Sequence, residues 1–280
     1  MRVTILGASG FIGRALADAL RARGDTPVPV SLRDPAAAAA ASAGSDVVVN
    51  LAGASVASRW TTRHKREIER SRVALPRAYL EALATVKPHP SAYVSASAIG
   101  YYGTSRTVTF TETNGPGHDF LARVCAGWET EARHAATQGM RVAIVRTGLV
   151  LGRDGGALAK LIPIFRAGLG GVVGSGKQWY SWIHLEDQVG IYLHAIDGAD
   201  GVLNATAPNP VTNRVFTCAL AAAVRRPALL PVPAFAVQLF LGEGAIIVTE
   251  GQRVLPERTL ASGFRFRHSD LDETLGSIVR

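Results

Sequence analysis

Gly7, Gly10 and Gly13 stand three residues apart, directly after the β-rich run of residues 2–6 and at the start of a helical pattern that puts Ile12, Leu16, Ala19 and Leu20 on one face. Gly7 permits a tight turn, Gly10 lets the backbone approach a pyrophosphate, and Gly13 lets the helix pack closely on a sheet. Backbone N–H groups from Ser9 through Phe11 to Ile12 would then face an anion from the helix N-terminus, where the dipole favours negative charge. The chemistry implied is the binding of a nicotinamide dinucleotide. The tip of the next strand selects which one, because a carboxylate there takes a ribose 2′-hydroxyl and a cation takes a 2′-phosphate. That tip reads Ser31-Leu32-Arg33-Asp34. Arg33 can stack on adenine and pair with the phosphate while Ser31 adds a hydrogen bond, so NADP(H) is expected. A strand ending one residue later would bring Asp34 to the ribose instead.

Other residues able to do chemistry come later in the chain. Ser95 and Ser97 precede Tyr101 and Tyr102 by a few positions, and His184 sits in Trp182-Ile183-His184-Leu185-Glu186-Asp187. A histidine relays protons near neutral pH, but one bonded to Asp187 or to backbone would only close a pocket wall. The tyrosines fit a catalytic role or packing at a strand exit. Trp60, Trp179 and Trp182 fit an aromatic substrate site or the core. Cys125 and Cys218 have no partners at metal-ligand spacing and read as buried thiols, and no metal site is expected.

These groups need a scaffold, and the elements for one alternate regularly. Strand patterns at 27–32, 46–50, 92–95 and 141–145 are separated by helical patterns, among them 62–85 and 120–136. Such alternation predicts an α/β fold with a doubly wound parallel sheet of the Rossmann kind. The tract 36–43 is too alanine-rich to assign. After Gly152 glycine and proline clusters multiply, so 1–152 is expected to be the dinucleotide core and 153–280 a mixed substrate lobe with returning core elements.

The 280 residues are 48% hydrophobic and 19% charged, the composition of a folded globule. The first residues run from strand into turn without a secretory pattern, which points to the cytoplasm. The formal charge is +8. Its densest run, 59–72, is broken by Glu67 and Glu69 and carries no aromatic series, so it reads as a solvated helix face able to lend one or two cations to a phosphate. The expected partner is a small-molecule substrate, with neither nucleic acid nor membrane. The oligomeric state is open, a homodimer included.

Gly7 to Gly13, Asn50-Leu51-Ala52-Gly53-Ala54-Ser55, Arg59-Trp60-Thr61, Ser95 to Gly103, Trp182 to Asp187 and Gly251-Gln252-Arg253-Val254-Leu255-Pro256 together carry a resemblance. The chain resembles the atypical, epimerase-like extended short-chain dehydrogenase/reductases from end to end. Asn50 to Gly53 closes a parallel strand where ligands of open sheets bind, and the resemblance implies that Leu51 and Ala52 border the adenine and ribose, that Glu67 and Arg72 line the cofactor, that Val150 lies near the nicotinamide, and that residues from about 233 onward form a small C-terminal domain.

Redox chemistry in that superfamily uses a Tyr as proton donor, a Lys four residues later and a Ser that orients the oxygen. Ser97 fits the Ser. No tyrosine here is followed by lysine at that spacing, and Leu121 and Cys125 occupy the two positions on the helix. Three explanations are open: an NADP(H) enzyme with a displaced acid, Tyr101 or Tyr102; a redox-neutral reaction such as epimerisation; or an NADPH-binding sensor or scaffold without catalysis.

Overall fold

In the computed structural model, which describes residues 1–280, six strands form one parallel sheet. They are β1 (Arg2–Leu6), β2 (Thr26–Val30), β3 (Val47–Asn50), β4 (Ala92–Ala98), β5 (Arg141–Thr147) and β6 (Gly201–Ala205), in the order β6-β5-β4-β3-β1-β2. The apolar run Val47-Val48-Val49 lacks alternation because both faces of β3 are covered.

Helices α1 (Phe11–Ala22), α2 (Pro35–Ala41), α3 (Thr62–Arg72), α4 (Ala74–Leu83), α5 (Phe120–His134), α6 (Leu158–Arg166), α7 (Leu185–Ile196) and α8 (Asn213–Ala223) divide between two sides and a lobe. On one side Leu16 and Leu20 of α1 and Ile191 and Tyr192 of α7 pack on Val3, Ile5, Val94 and Val145. On the other, Ala38, Leu80, Leu83 and Ala132 cover Leu6, Val48, Tyr93 and Ile144. The chain leaves β1 for β2 on one flank, then crosses to β3 on the other. This reversal opens a crevice at the carboxyl ends of β1 and β3, the place where open α/β sheets bind ligands.

Several expectations change. The helical stretch 62–85 is two helices, broken at Val73 (φ −114°, ψ −63°), because Pro76 lacks an N–H and its ring crowds the carbonyl one turn back. The alanine tract is a helix: Pro35 opens it, and the Asp34 carboxylate accepts the Ala37 N–H at 3.0 Å. Cys218 is exposed, not buried. Beyond residue 152 the chain returns α7 and β6 to the core, while α6, α8 and the helix Leu271–Val279 bury Ile162, Phe165, Phe216, Leu220 and Leu275 as a second cluster. Trp182 belongs to that cluster, its indole N–H donating to the Asn209 carbonyl. No helix is long and apolar enough to cross a membrane.

Candidate functional site

The glycine turn closes on itself in a way that leaves donors free. Gly7 adopts φ +87°, a left-handed conformation that favours glycine, and its carbonyl accepts the Gly10 N–H at 3.0 Å. A Cβ on Gly13 would collide with the Gly7 carbonyl, so the helix sits directly on the turn. At Gly10 the nearest atom to a Cβ is that same carbonyl at 3.3 Å, with open space beyond. The first intrahelical bond runs from Arg14 N–H to the Gly10 carbonyl, and no protein acceptor takes the N–H of Phe11, Ile12 or Gly13. Of the expected donors, Ser9, Phe11 and Ile12 are free; Gly10 is used internally and Gly13 is added. The Phe11 ring turns away and packs on the Gly152–Gly156 loop, leaving only its backbone for a ligand.

Opposite this turn, Asn50 shapes the loop after β3. It is buried, accepts the Ala52 N–H at 3.1 Å and donates to the Tyr93 hydroxyl at 2.9 Å. Leu51 and Ala52 are half-buried, and a Cβ on Gly7 would lie 3.0 Å from the Ala52 backbone. A Cβ on Gly53 would lie 3.0 Å from the guanidinium carbon of Arg72. Arg72 has no carboxylate partner; it makes only long contacts to the Ile68 carbonyl and the Ser71 hydroxyl at 3.4 and 3.5 Å, and lies 5.1 Å over the Trp128 ring. Burial lowers its pKa from the ordinary arginine value. The buried Trp128 Nε1 beside it has no acceptor either. Glu67, in contrast, is on the exposed side of α3 and pairs loosely with Arg70 at 3.5 Å.

At the tip of β2, Ser31 and Arg33 are exposed. Leu32 is core, packed with Leu6 and Val48. Asp34 is committed to capping α2, which removes it as a ribose ligand. Val150 lies on the short strand Leu149–Leu151, half-buried, with its carbonyl 3.1 Å from where a Gly156 Cβ would be.

The corner where β4 and β5 meet α5 gives the candidate catalytic hydroxyls partners within the protein. Ser97 Oγ donates to Glu129 at 2.8 Å, and Arg146 binds Glu129 through two bonds of 2.7 and 2.9 Å. Arg146 also donates to the Tyr102 hydroxyl, which itself donates to Asn204 at 2.7 Å. Burial, only partly offset by Arg146, pushes the Tyr102 phenol up to about 12. Ser97 and Tyr102 are therefore spent on each other's neighbours, and Ser95 donates to the Ala96 carbonyl. Tyr101 is different: half-buried, its hydroxyl without a hydrogen-bond partner, and its ring centroid 3.5 Å from the Arg146 guanidinium. Leu121 and Cys125 face Gly100, and burial pushes the Cys125 thiol up to about 12.

Sequence reading missed Glu129 and Arg146. Both had a signal: Glu129 lies two helical turns after Leu121 on the same face, and an arginine inside the apolar strand Arg141–Thr147 requires a buried partner. His184 is not drawn into this corner. It caps α7, its Nδ1 accepting the Glu186 N–H at 3.2 Å, while Asp187 binds backbone elsewhere. Burial and the neighbouring His268 lower its pKa.

With this geometry in hand, the likeness to known proteins is informative. Residues 3–206 match the family model described as the NAD dependent epimerase/dehydratase family, and 232–278 match a domain of unknown function, DUF1731. The chain is 40% identical to the chloroplastic SDR39U1 homolog of Arabidopsis thaliana, an epimerase family protein, over 100% of this chain and 87% of the relative. It is 37% identical to the human epimerase family protein SDR39U1 over the full length of both. A crystal structure of the human protein with NADPH superposes with a TM-score of 0.93 at 35% identity, covering 100% of this chain and 99% of that one.

Proposed function

The chain belongs to the NAD-dependent epimerase/dehydratase family, and we propose that it binds NADP(H) and acts as an oxidoreductase or epimerase on a small carbonyl or hydroxyl compound. One observation carries the cofactor reading: a half-buried arginine with no anionic partner faces the same crevice as three unpaired N–H groups of α1. Buried donors without acceptors are costly, and a charged one most of all, unless a ligand supplies the acceptor. The dinucleotide's phosphates and ribose hydroxyls suit these donors. Arg33, free at the tip of β2, suits a 2′-phosphate, and the NADPH in the human relative's structure supports that choice.

When bound, the cofactor supplies or accepts a hydride. The chain's own part is to position the substrate oxygen and move its proton. Tyr101 is the hydroxyl left for that task, because Ser97 and Tyr102 are held within the protein and Tyr101 rests on a cation without a hydrogen-bond partner. A second reading, an NADPH-binding sensor without catalysis, draws on Leu121 and Cys125 in place of a Tyr and Lys pair.

Calorimetric titration of NADPH and NADH tests the cofactor. Arg72→Met is expected to weaken both by about 1.5–3 kcal/mol, the worth of hydrogen bonds to a charged group. Unchanged affinity would remove Arg72 from the site. For the reaction, NADPH oxidation is followed over a panel of carbonyl compounds, with Tyr101→Phe expected to lower turnover by about 10² to 10⁴. No turnover with any carbonyl, alcohol or sugar nucleotide, despite tight NADPH binding, would favour the sensor.

A further inference from the structure

Outside the residues assigned to the dinucleotide, His184, Glu186 and His268 converge at the first turn of α7. The two imidazole centroids are 3.8 Å apart, His268 Nε2 is 3.1 Å from a Glu186 carboxylate oxygen, and one ligand atom from each residue lies within 4.8 Å of the others. We propose that these three side chains bind one divalent transition-metal ion of the zinc, cobalt or nickel type, fastening the C-terminal segment to the dinucleotide domain.

The donor set selects the ion. Two imidazole nitrogens with one carboxylate suit borderline ions such as Zn²⁺, whereas Ca²⁺ and Mg²⁺ take oxygen-only sets. Zinc bonds of about 2.0–2.2 Å put neighbouring ligand atoms roughly 3–3.5 Å apart in a tetrahedron. The His268–Glu186 contact is already within that span, and side-chain rotation of His184 closes the rest.

The supports of the ligands are fixed independently of any ion. Asp187 accepts the N–H groups of both Arg267 and His268 at 2.9 Å, which holds the backbone carrying His268 against α7. His184 ends the strand Trp182–His184, which pairs with Leu149–Leu151. His184 is buried, whereas the Glu186 side chain is 62% exposed, so remaining coordination positions face water. Coordination through His184 Nε2 requires a proton on Nδ1 and gives up the long 3.2 Å cap bond from Glu186 N–H. The ion replaces that weak bond with stronger ones. The separation of 82 positions between Glu186 and His268 explains why no ligand spacing is visible in the sequence.

The test uses tag-free, full-length protein stripped with chelator, titrated with Zn²⁺ by calorimetry and with Co²⁺ by its visible d–d absorption. One ion per chain is expected. His268→Ala and Glu186→Gln, each removing a ligand, should weaken binding by at least the ~10- to 100-fold that the loss of an outer partner costs. Zn²⁺ should raise the thermal midpoint of the wild type and not of the variants, while NADPH affinity stays the same in all three. Glu186→Gln changes an exposed side chain and remains informative if His268→Ala does not fold. Absence of binding at millimolar Zn²⁺, or wild-type affinity in Glu186→Gln, would overturn the proposal. Either result leaves the NADP(H) reading untouched, since that is measured separately by NADPH titration.

Discussion

The crevice between β1 and β3 and the corner between β4, β5 and α5 are both rich in polar groups, yet they treat their donors in opposite ways. In the crevice the N–H groups of Phe11, Ile12 and Gly13 and the Arg72 guanidinium find no strong acceptor in the protein. In the corner Ser97, Glu129, Arg146, Tyr102 and Asn204 satisfy one another in a continuous network. The first arrangement is stable only with a ligand or water to accept those bonds. The second is complete without one. The lesson is that residue type alone does not mark a site: a serine and a tyrosine at promising positions already have hydrogen-bond partners within the protein, and an arginine on a charged helix is the one without a strong acceptor.

The sharpest way to break this contrast is to remove Glu129. Glu129→Ala strands Arg146 as a buried unpaired cation, and a stability loss of about 3–5 kcal/mol is expected in urea unfolding. A loss under about 1 kcal/mol would show the corner to be wet and adaptable. Next in size, Gly10→Val should leave the fold intact by circular dichroism, since φ −71° suits any residue and the nearest contact is 3.3 Å. The branched side chain fills the space before the free N–H groups, and NADPH affinity should fall at least about 100-fold, near 2.7 kcal/mol. Retained affinity would mean that phosphate sits elsewhere.

Arg33→Ala sharpens the crevice itself. It should cost NADPH about 1.5–3 kcal/mol and NADH little, unlike Arg72→Met, which should weaken both. Equal losses for the two cofactors in Arg33→Ala would sink the 2′-phosphate assignment. The smallest effect separates the adjacent tyrosines. Tyr102→Phe strands bonds to Asn204 and Arg146 and should cost about 1–3 kcal/mol of stability. Tyr101→Phe should stay within about 0.5 kcal/mol, because its hydroxyl is unpartnered. Equal destabilisation of the two would show that Tyr101 belongs to the network as well.

Local patterns determined much of this protein from sequence alone. The glycine turn with its following helix, the apolar run of β3 and the alternation up to β5 are short-range features, in which a few adjacent residues set backbone geometry and burial. They located the crevice, and Arg33 at its edge. Helix breaks were less legible: Pro76 splits 62–85, and Asp34 with Pro35 turns an uninformative alanine tract into a helix, a detail that also settles which of Arg33 and Asp34 is free.

Only the tertiary structure decided which polar groups are spoken for. Ser97 meets Glu129 across 32 residues, Tyr102 meets Asn204 across 102, and His268 meets Glu186 across 82. No local spacing encodes such pairs, because they arise where separate elements are packed against one sheet. Whether a hydroxyl, imidazole or guanidinium can do chemistry depends on whether a partner brought from elsewhere in the chain has already taken its hydrogen bond, and that is fixed by packing.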